Sequence, residues 1–110
     1  MFIARWHFNA RFGHTQQCVN ILQKWEIDVG QRVGWKAGAI RVMSGLLGVS
    51  DTEIEFEVRV DSLTDLESAW GDIDNVPYHK QYMKELEGLV SGSISRWTVY
   101  RVAELTREGN

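Results

Sequence analysis

The sequence predicts an α+β fold in which helices cover one face of a four-stranded antiparallel sheet. Three observations support this prediction: segments that alternate apolar and polar residues, segments with an apolar residue every three or four positions, and the order of the two kinds. Alternation separates side chains onto the two faces of a strand, whereas the longer period gathers apolar side chains on one side of a helix. The segments follow the order β-α-β-β-α-β, with the second helix broken into two pieces.

The first strand and the first helix are separated by a glycine. Phe2–Phe8 alternates as a strand does and is rich in aromatic residues, and Gly13 then marks a break in the chain. A helical period begins at Thr15, with an apolar stripe formed by Cys18, Leu22, Trp25, Val29 and Val33. Gly34 is predicted to end this helix, because glycine readily adopts the left-handed conformation found at helix C-termini.

Two further strands are predicted to form a hairpin. The second strand is assigned to Ala37–Ser44 and the third to Thr52–Asp61. The third strand alternates apolar residues with Glu53, Glu55, Glu57 and Arg59. One face of this strand is therefore expected to be buried and the other to be charged, as in an antiparallel sheet with one solvated side.

A broken helix and a last strand complete the pattern. Ser62 followed by Asp65 is typical of a helix start, and Gly71 is predicted to interrupt the helix. The second piece is predicted to be capped by Asp74 or Asn75, with Pro77 in its first turn. Its stripe is Tyr82, Leu86, Leu89 and Val90, and Gly88 or Gly92 is predicted to end it. The last strand is assigned to Ser93–Leu105, and Thr106–Asn110 forms a polar tail.

This order predicts a ferredoxin-like sandwich, a single domain over residues 1–110. Hydrophobic residues make up 44% of the chain, which fits an ordinary globular protein. The net charge of −3 lacks the basic character of a nucleic-acid binder, and the single cysteine excludes an intramolecular disulfide. Because no apolar run approaches the roughly 20 residues that span a bilayer, we expect a cytoplasmic protein without a membrane partner.

The first and last strands place bulky side chains on both of their faces. Two helices cover only one face of such a sheet, so the other face is expected to meet a partner. We predict a homodimer in which two sheets meet across a two-fold axis through this face. The acidic row of the third strand argues against this packing over its whole length, because unpaired carboxylates are costly to bury.

Several segments together resemble the dimeric α/β barrel superfamily. They are the aromatic strand Phe2–Phe8 followed by Gly13 and His14, the segment Val60–Trp70, the broken helix with Tyr82, Met83 and Leu86, and the closing strand Arg96–Val102. The superfamily includes NIPSNAP-like proteins, antibiotic-biosynthesis monooxygenases, EthD-like proteins and stress-responsive barrels. The resemblance implies a homodimer with a pocket between sheet and helices in each subunit. It implies little about activity, because members share a fold and differ in chemistry.

An aromatic pocket for an apolar or aromatic metabolite is the functional hypothesis. The predicted ligand-binding residues are Arg5, Trp6, His7, Tyr78 and Tyr82. His79 follows Pro77 in the first turn of a helix, where a positive imidazole is disfavoured, so a neutral His79 facing the pocket is predicted to act as a proton acceptor or an axial ligand. The resemblance adds a cofactor-independent monooxygenase as the possible activity.

Two alternatives stay open. The haem-degrading members of the superfamily use an asparagine, a tryptophan and a histidine around the porphyrin. Asn9, Trp70 and His79 are the same residue types in similar regions, and they are the candidate catalytic residues. The other alternative is a structural or interaction protein whose aromatic faces fill dimer contacts and leave no pocket. The favoured hypothesis requires no cofactor, and the sequence shows no metal-ligand spacing.

Overall fold

The computed structural model describes residues 1–92 and 96–104 and has the predicted ferredoxin-like α+β architecture. The strands are β1 (Phe2–Asn9), β2 (Ile40–Ser44), β3 (Glu53–Val60) and β4 (Arg96–Arg101), in the spatial order β2-β3-β1-β4. The helices are α1 (Thr15–Trp25), α2 (Leu63–Ile73) and α3 (Pro77–Glu87). All neighbouring strands are antiparallel, so β1 and β3 form the centre of the sheet.

The register of the sheet explains where the core forms. Ala4 lies opposite Val58 and Phe8 lies opposite Ile54, so apolar side chains of β1 and β3 share one face. The helices cover this face, and their buried residues complete the core: Cys18, Leu22 and Trp25 of α1, Leu66, Ala69 and Ile73 of α2, and Tyr82 and Leu86 of α3. The apolar alternation of β1 and β3 is therefore the signal that orients the sheet.

The chain after α1 remains coiled but changes its winding. A π-turn covers Glu26–Gly30 and a 3-10 turn covers Gln31–Val33. Gly34 then ends the coil in the left-handed conformation, with φ of 95°, as predicted. The strand predicted from Ala37 is wrong over its first three residues, because Ala37–Ala39 forms a 3-10 turn and β2 begins at Ile40.

The broken helix differs from the prediction at two points. The hydroxyl of Ser62 accepts a hydrogen bond from the backbone N–H of Asp65 at 3.1 Å, which confirms this helix start. Gly71, however, lies inside α2 and does not interrupt it. The second piece is not capped by Asp74 or Asn75, because extended Val76 precedes the helix and Pro77 takes its first position. The break therefore falls three residues later than the glycine suggested.

The C-terminal end of α3 is also shorter than its apolar stripe. The helix ends at Glu87, so Leu89 and Val90 lie beyond it, and Val90 forms a β-bridge with Ala10. The predicted last strand, Ser93–Leu105, extends past the described residues at both ends. Its described part is β4, and 102–104 is not strand.

The sheet face without helices, which we call the open face, is more polar than the alternation suggested. The side chains of Trp6, Phe8 and Trp97 all lie on the helix-covered side. The large apolar side chains of the open face in the described strands are Ile3, Met43 and Tyr100, among charged residues. Of the helices in the described ranges, none has the length and apolar character needed to cross a membrane.

Candidate functional site

A cavity of about 420 Å³ lies between the sheet and the helices. Its volume falls within the range of ligand pockets, roughly 300–1,000 Å³. Every strand except β2 and all three helices contribute to its lining: Trp6, Leu22, Trp25, Phe56, Trp70, Ile73, His79, Met83 and Trp97. Four of these nine residues are tryptophans and one carries a titratable group, so the cavity is an aromatic site with a single ionisable side chain.

The cavity has a buried wall and a half-exposed rim. Leu22, Phe56 and Ile73 are buried and belong to the core. Trp6 of β1 and Trp97 of β4 face each other across the sheet register, with ring centroids 6.5 Å apart and planes 22° apart. Trp70 of α2 meets the Trp97 ring edge-on at 5.4 Å. Flat indole faces on neighbouring elements favour a flat apolar ligand.

His79 is held in place by Trp25. The indole Nε1–H of Trp25 donates a hydrogen bond of 3.0 Å to Nδ1 of His79. The two rings meet edge-on, with centroids 6.0 Å apart. Trp25 is itself fixed by an edge-on contact with Phe56 at 5.2 Å. The α1 helix therefore orients the imidazole that α3 carries into the cavity.

His79 is kept neutral by its surroundings. Burial lowers the pKa of His79, and the nearby Asp74 carboxylate opposes this effect. The Asp74 Oδ1 atom lies 4.0 Å from Nε2 and its side chain is 84% exposed, so water weakens its influence. Protonation of Nδ1 would also place an N–H group against the Trp25 N–H.

The same contact restricts the chemistry of His79. Because Nδ1 accepts from Trp25, the proton of the neutral ring resides on Nε2. An axial haem ligand bound through Nε2 needs the proton on Nδ1, where it would face the Trp25 N–H. The arrangement of His79 and Trp25 does not fit a haem ligand. It also makes Nε2 a hydrogen-bond donor in the ground state, so the prediction of a proton acceptor is wrong for this tautomer.

The structure brings together three of the eight predicted site residues. Trp6, Trp70 and His79 all line the cavity. Tyr82 is buried but is not part of the cavity lining; its hydroxyl donates to the Asp28 carboxylate, and this bond raises the pKa of Tyr82 to about 12. Tyr78 lies outside the cavity lining, with the Arg32 guanidinium 5.1 Å from its ring centre.

The other three predicted residues lie on the opposite side of the sheet. Arg5, His7 and Asn9 alternate with Trp6 and Phe8, so they belong to the open face. His7 binds Glu55 at 3.0 Å and the Thr98 hydroxyl at 2.9 Å. Asn9 therefore does not assemble with Trp70 and His79, and the proposed trio of haem-type residues does not form.

Sequence reasoning missed the cavity residues that look like core. Trp25 belongs to the apolar stripe of its helix and Trp97 to the closing strand, but their meeting around a cavity depends on the distance between the helices and the sheet. Two indole N–H groups, those of Trp35 and Trp70, are buried without a hydrogen-bond partner among the described residues. Within 1–92 and 96–104, no group of three His, Cys, Asp or Glu side chains is placed to hold a metal ion.

The fold is shared with several solved structures. A NIPSNAP family protein from Agrobacterium tumefaciens superposes with a TM-score of 0.76 at 12% identity, covering 97% of each chain. A NIPSNAP domain protein from Burkholderia xenovorans gives 0.72 at 8% identity, covering 98% of this chain and all of the other. A cofactor-independent oxygenase from Streptomyces nogalater gives 0.67 at 9% identity, covering 97% of each chain.

The class that these matches define is therefore a ferredoxin-like fold of the NIPSNAP and antibiotic-biosynthesis-monooxygenase type. No protein-family model matches the sequence, and no curated protein is similar enough to match it. Identities of 8–12% establish the shared fold and leave the ligand to be argued from the cavity.

Proposed function

We propose that the protein binds a flat, mainly apolar metabolite in the cavity between its sheet and its helices. The observation that carries this proposal is the cavity itself, about 420 Å³ of space surrounded by four tryptophans. A purely structural protein would fill this interior, because an unfilled core loses packing contacts and stability. The retained space supports a ligand-binding protein over the structural alternative.

The proposal extends to catalysis only for a ligand that is itself readily oxidised. The cavity lining offers one neutral imidazole, and none of its other residues titrates near neutral pH. A cofactor-independent oxygenation of such a ligand would use the site for orientation and for exclusion of water. This extension is supported by the fold shared with an oxygenase, whereas binding is supported by the cavity.

A cavity-filling variant tests the binding proposal. Met83 is half-buried on α3 and lines the cavity, whereas Gln81 is exposed on the same helix. Met83→Trp should abolish binding of the probe 1-ethylnaphthalene, followed by ¹H–¹⁵N spectra of the protein. The matched variant Gln81→Trp should bind as tightly as the native protein. Equal binding by both variants would show that the probe occupies another place.

We propose further that the protein is a cytoplasmic homodimer joined through the open face. Two of the three glutamates in the acidic row on β3 no longer oppose this packing, because Glu57 is paired with Arg5 and Arg41 and Glu55 is paired with His7. Glu53 is exposed at the end of the strand, so it can stay in water at the edge of the contact. Paired carboxylates have already lost most of their water within the subunit, so a second sheet adds little desolvation. The single cysteine, Cys18, is a buried free thiol, which suits a reducing compartment.

Sedimentation equilibrium tests the dimer. The subunit mass is 12.6 kDa, and we expect twice this mass at micromolar concentration. Ile3 is a half-buried residue of the open face, so Ile3→Glu should shift the protein to the monomer without unfolding it. Leu63→Glu, at an exposed position on α2, should leave the dimer intact. A native protein that sediments as a folded monomer would overturn this proposal.

A further inference from the structure

We infer that the cavity selects ligands that carry a neutral hydrogen-bond acceptor, such as an aromatic ketone, and that Trp25 is the positioning residue that makes His79 the donor. This inference rests on the proposed binding function and adds the class of ligand to it. It concerns the polar end of a cavity whose other surfaces are aromatic or aliphatic.

One nitrogen of His79 already accepts a hydrogen bond, and this identifies the other nitrogen as the donor. Nδ1 accepts the Trp25 N–H at 3.0 Å, so the ring proton is on Nε2. The nearest carboxylate oxygen, Oδ1 of Asp74, lies 4.0 Å from Nε2, beyond hydrogen-bonding distance. Nε2–H thus has no hydrogen-bond acceptor within the described part of the chain, while the imidazole lines the cavity.

The surroundings of His79 determine whether the cavity favours a neutral or a charged acceptor group on the ligand. A cavity lined by indole and aliphatic groups gives little solvation to an ion. The Asp74 carboxylate near the donor is screened by water, so it adds only a small further penalty for a negatively charged ligand. A carbonyl oxygen on a flat ring system meets both conditions, because it accepts from Nε2–H and carries no net charge.

Trp25 determines which nitrogen of His79 carries the proton. Without the Trp25 N–H, either nitrogen of the neutral ring could carry the proton, and His79 could present a lone pair to the cavity instead. Trp25 lies on α1 and is 5% exposed, so its indole is fixed by the core rather than by the ligand. The selectivity for an acceptor is therefore a property of the empty protein.

Three probes of nearly equal shape test the selectivity. 1-Acetonaphthone carries a carbonyl, 1-ethylnaphthalene lacks the oxygen, and 1-naphthoate replaces the ketone with a carboxylate. One neutral hydrogen bond predicts that the native protein binds 1-acetonaphthone about fivefold more tightly than 1-ethylnaphthalene. 1-Naphthoate should bind more weakly than the ketone. Tighter binding of the carboxylate would overturn the requirement for a neutral acceptor.

Variants locate the donor. His79→Phe should lose the fivefold preference for 1-acetonaphthone over 1-ethylnaphthalene, whereas His14→Phe, directly before α1 and outside the cavity, should keep it. Long-range ¹⁵N–¹H spectra of the native protein should show a pyridine-type Nδ1 and a pyrrole-type Nε2 for His79. Trp25→Phe should mix the two tautomers and reduce the preference.

The outcomes separate this inference from the proposed function. If 1-ethylnaphthalene and 1-acetonaphthone both fail to bind, the binding function is wrong and the selectivity falls with it. If they bind equally well, or if the spectra place the proton on Nδ1, the cavity binds apolar ligands and only the inference is wrong. The tautomer spectra need no substitution, so they decide the question even where a variant does not fold.

Discussion

Glu57 is fully buried although it lies on the sheet face that carries no helices. Two arginines from the flanking strands enclose its carboxylate: Arg5 Nε lies 3.0 Å from Oε1, and Arg41 approaches Oε2 at 2.6 Å. Both arginine side chains keep contact with water, since that of Arg41 is 62% exposed and that of Arg5 is 32% exposed. Glu57 therefore ties β1, β2 and β3 together across the open face through charged hydrogen bonds.

Glu57→Gln should lower the free energy of unfolding by about 2 kcal/mol, because hydrogen bonds to a charged group contribute more to stability than hydrogen bonds between neutral groups. Glu53→Gln is the matched control: Glu53 is exposed on the same strand face, and its side chain makes no ion pair within the described residues. The control should change stability by less than about 0.5 kcal/mol. Equal losses in urea unfolding would contradict a role for the arginine pairing.

The lowered pKa of His79 leads to a prediction about how the stability of the protein depends on pH. Its folded-state pKa is lowered by burial, so the unfolded chain binds the proton more readily than the folded chain. Stability should therefore fall as the pH drops below the ordinary histidine pKa of about 6.5, and the loss should end below the lowered pKa. Urea unfolding at pH 7.5 and 5.5 should show a larger loss for the native protein than for His79→Phe. Equal losses would mean that His79 is solvated in the folded state.

At the scale of elements, the hairpin between β2 and β3 depends on a glycine for a steric reason. A Cβ atom on Gly45 would lie 2.0 Å from the backbone oxygen of Ser50 across the turn. The backbone of Gly45 also donates to the Glu53 carbonyl at 3.0 Å, which closes the hairpin. Two backbone segments approach closely here, so this position requires a residue without a Cβ atom.

Gly45→Ala should destabilise the protein by at least about 2 kcal/mol, since a backbone oxygen cannot move aside as a side chain can. Gly71→Ala provides a control of opposite sign. Gly71 is exposed inside α2, and a Cβ there meets nothing within 4 Å, so alanine should stabilise the helix by about 1 kcal/mol. Thermal unfolding of both variants checks the pair, and a tolerated Gly45→Ala would show that the turn rearranges freely.

The sequence predicted the elements better than their boundaries, for physical reasons. The strong alternation of β3 predicted the bounds of this strand nearly correctly, and the Ser62 cap predicted the start of α2. Both signals are local in the sequence. Gly71 was misleading, since an exposed glycine weakens a helix without ending it. The coil after Trp25 keeps its apolar stripe while changing from α to π winding, and periodicity alone does not distinguish these windings.

The site was predictable only in part for a related reason. Trp6, Trp70 and His79 were selected by residue type, and the fold brings them to one cavity. Arg5, His7 and Asn9 were selected on the same grounds, although alternation along β1 places them on the other side of the sheet. The Trp25–His79 hydrogen bond joins residues 54 positions apart in the sequence, and no local sequence pattern indicates a contact over such a separation.

At the scale of the whole molecule, the helices and the sheet form a flat body 21 Å thick along its shortest axis. One layer of helices on one sheet leaves two places for function, the cavity inside and the open face outside. Of the bulky side chains on β1 and β4, Trp6 and Trp97 line the cavity, while the open face is dominated by paired charges. The fold thus separates the proposed ligand site from the proposed assembly surface.

The location of a bound probe is the most direct test of this account. With 1-ethylnaphthalene bound, nuclear Overhauser contacts should join its ring protons to the Met83 methyl group and to the Trp70 indole, which line the cavity. Leu46 and Leu47 at the hairpin tip are 86% and 87% exposed and offer the competing apolar surface. Contacts confined to these leucines would contradict a ligand site between the sheet and the helices.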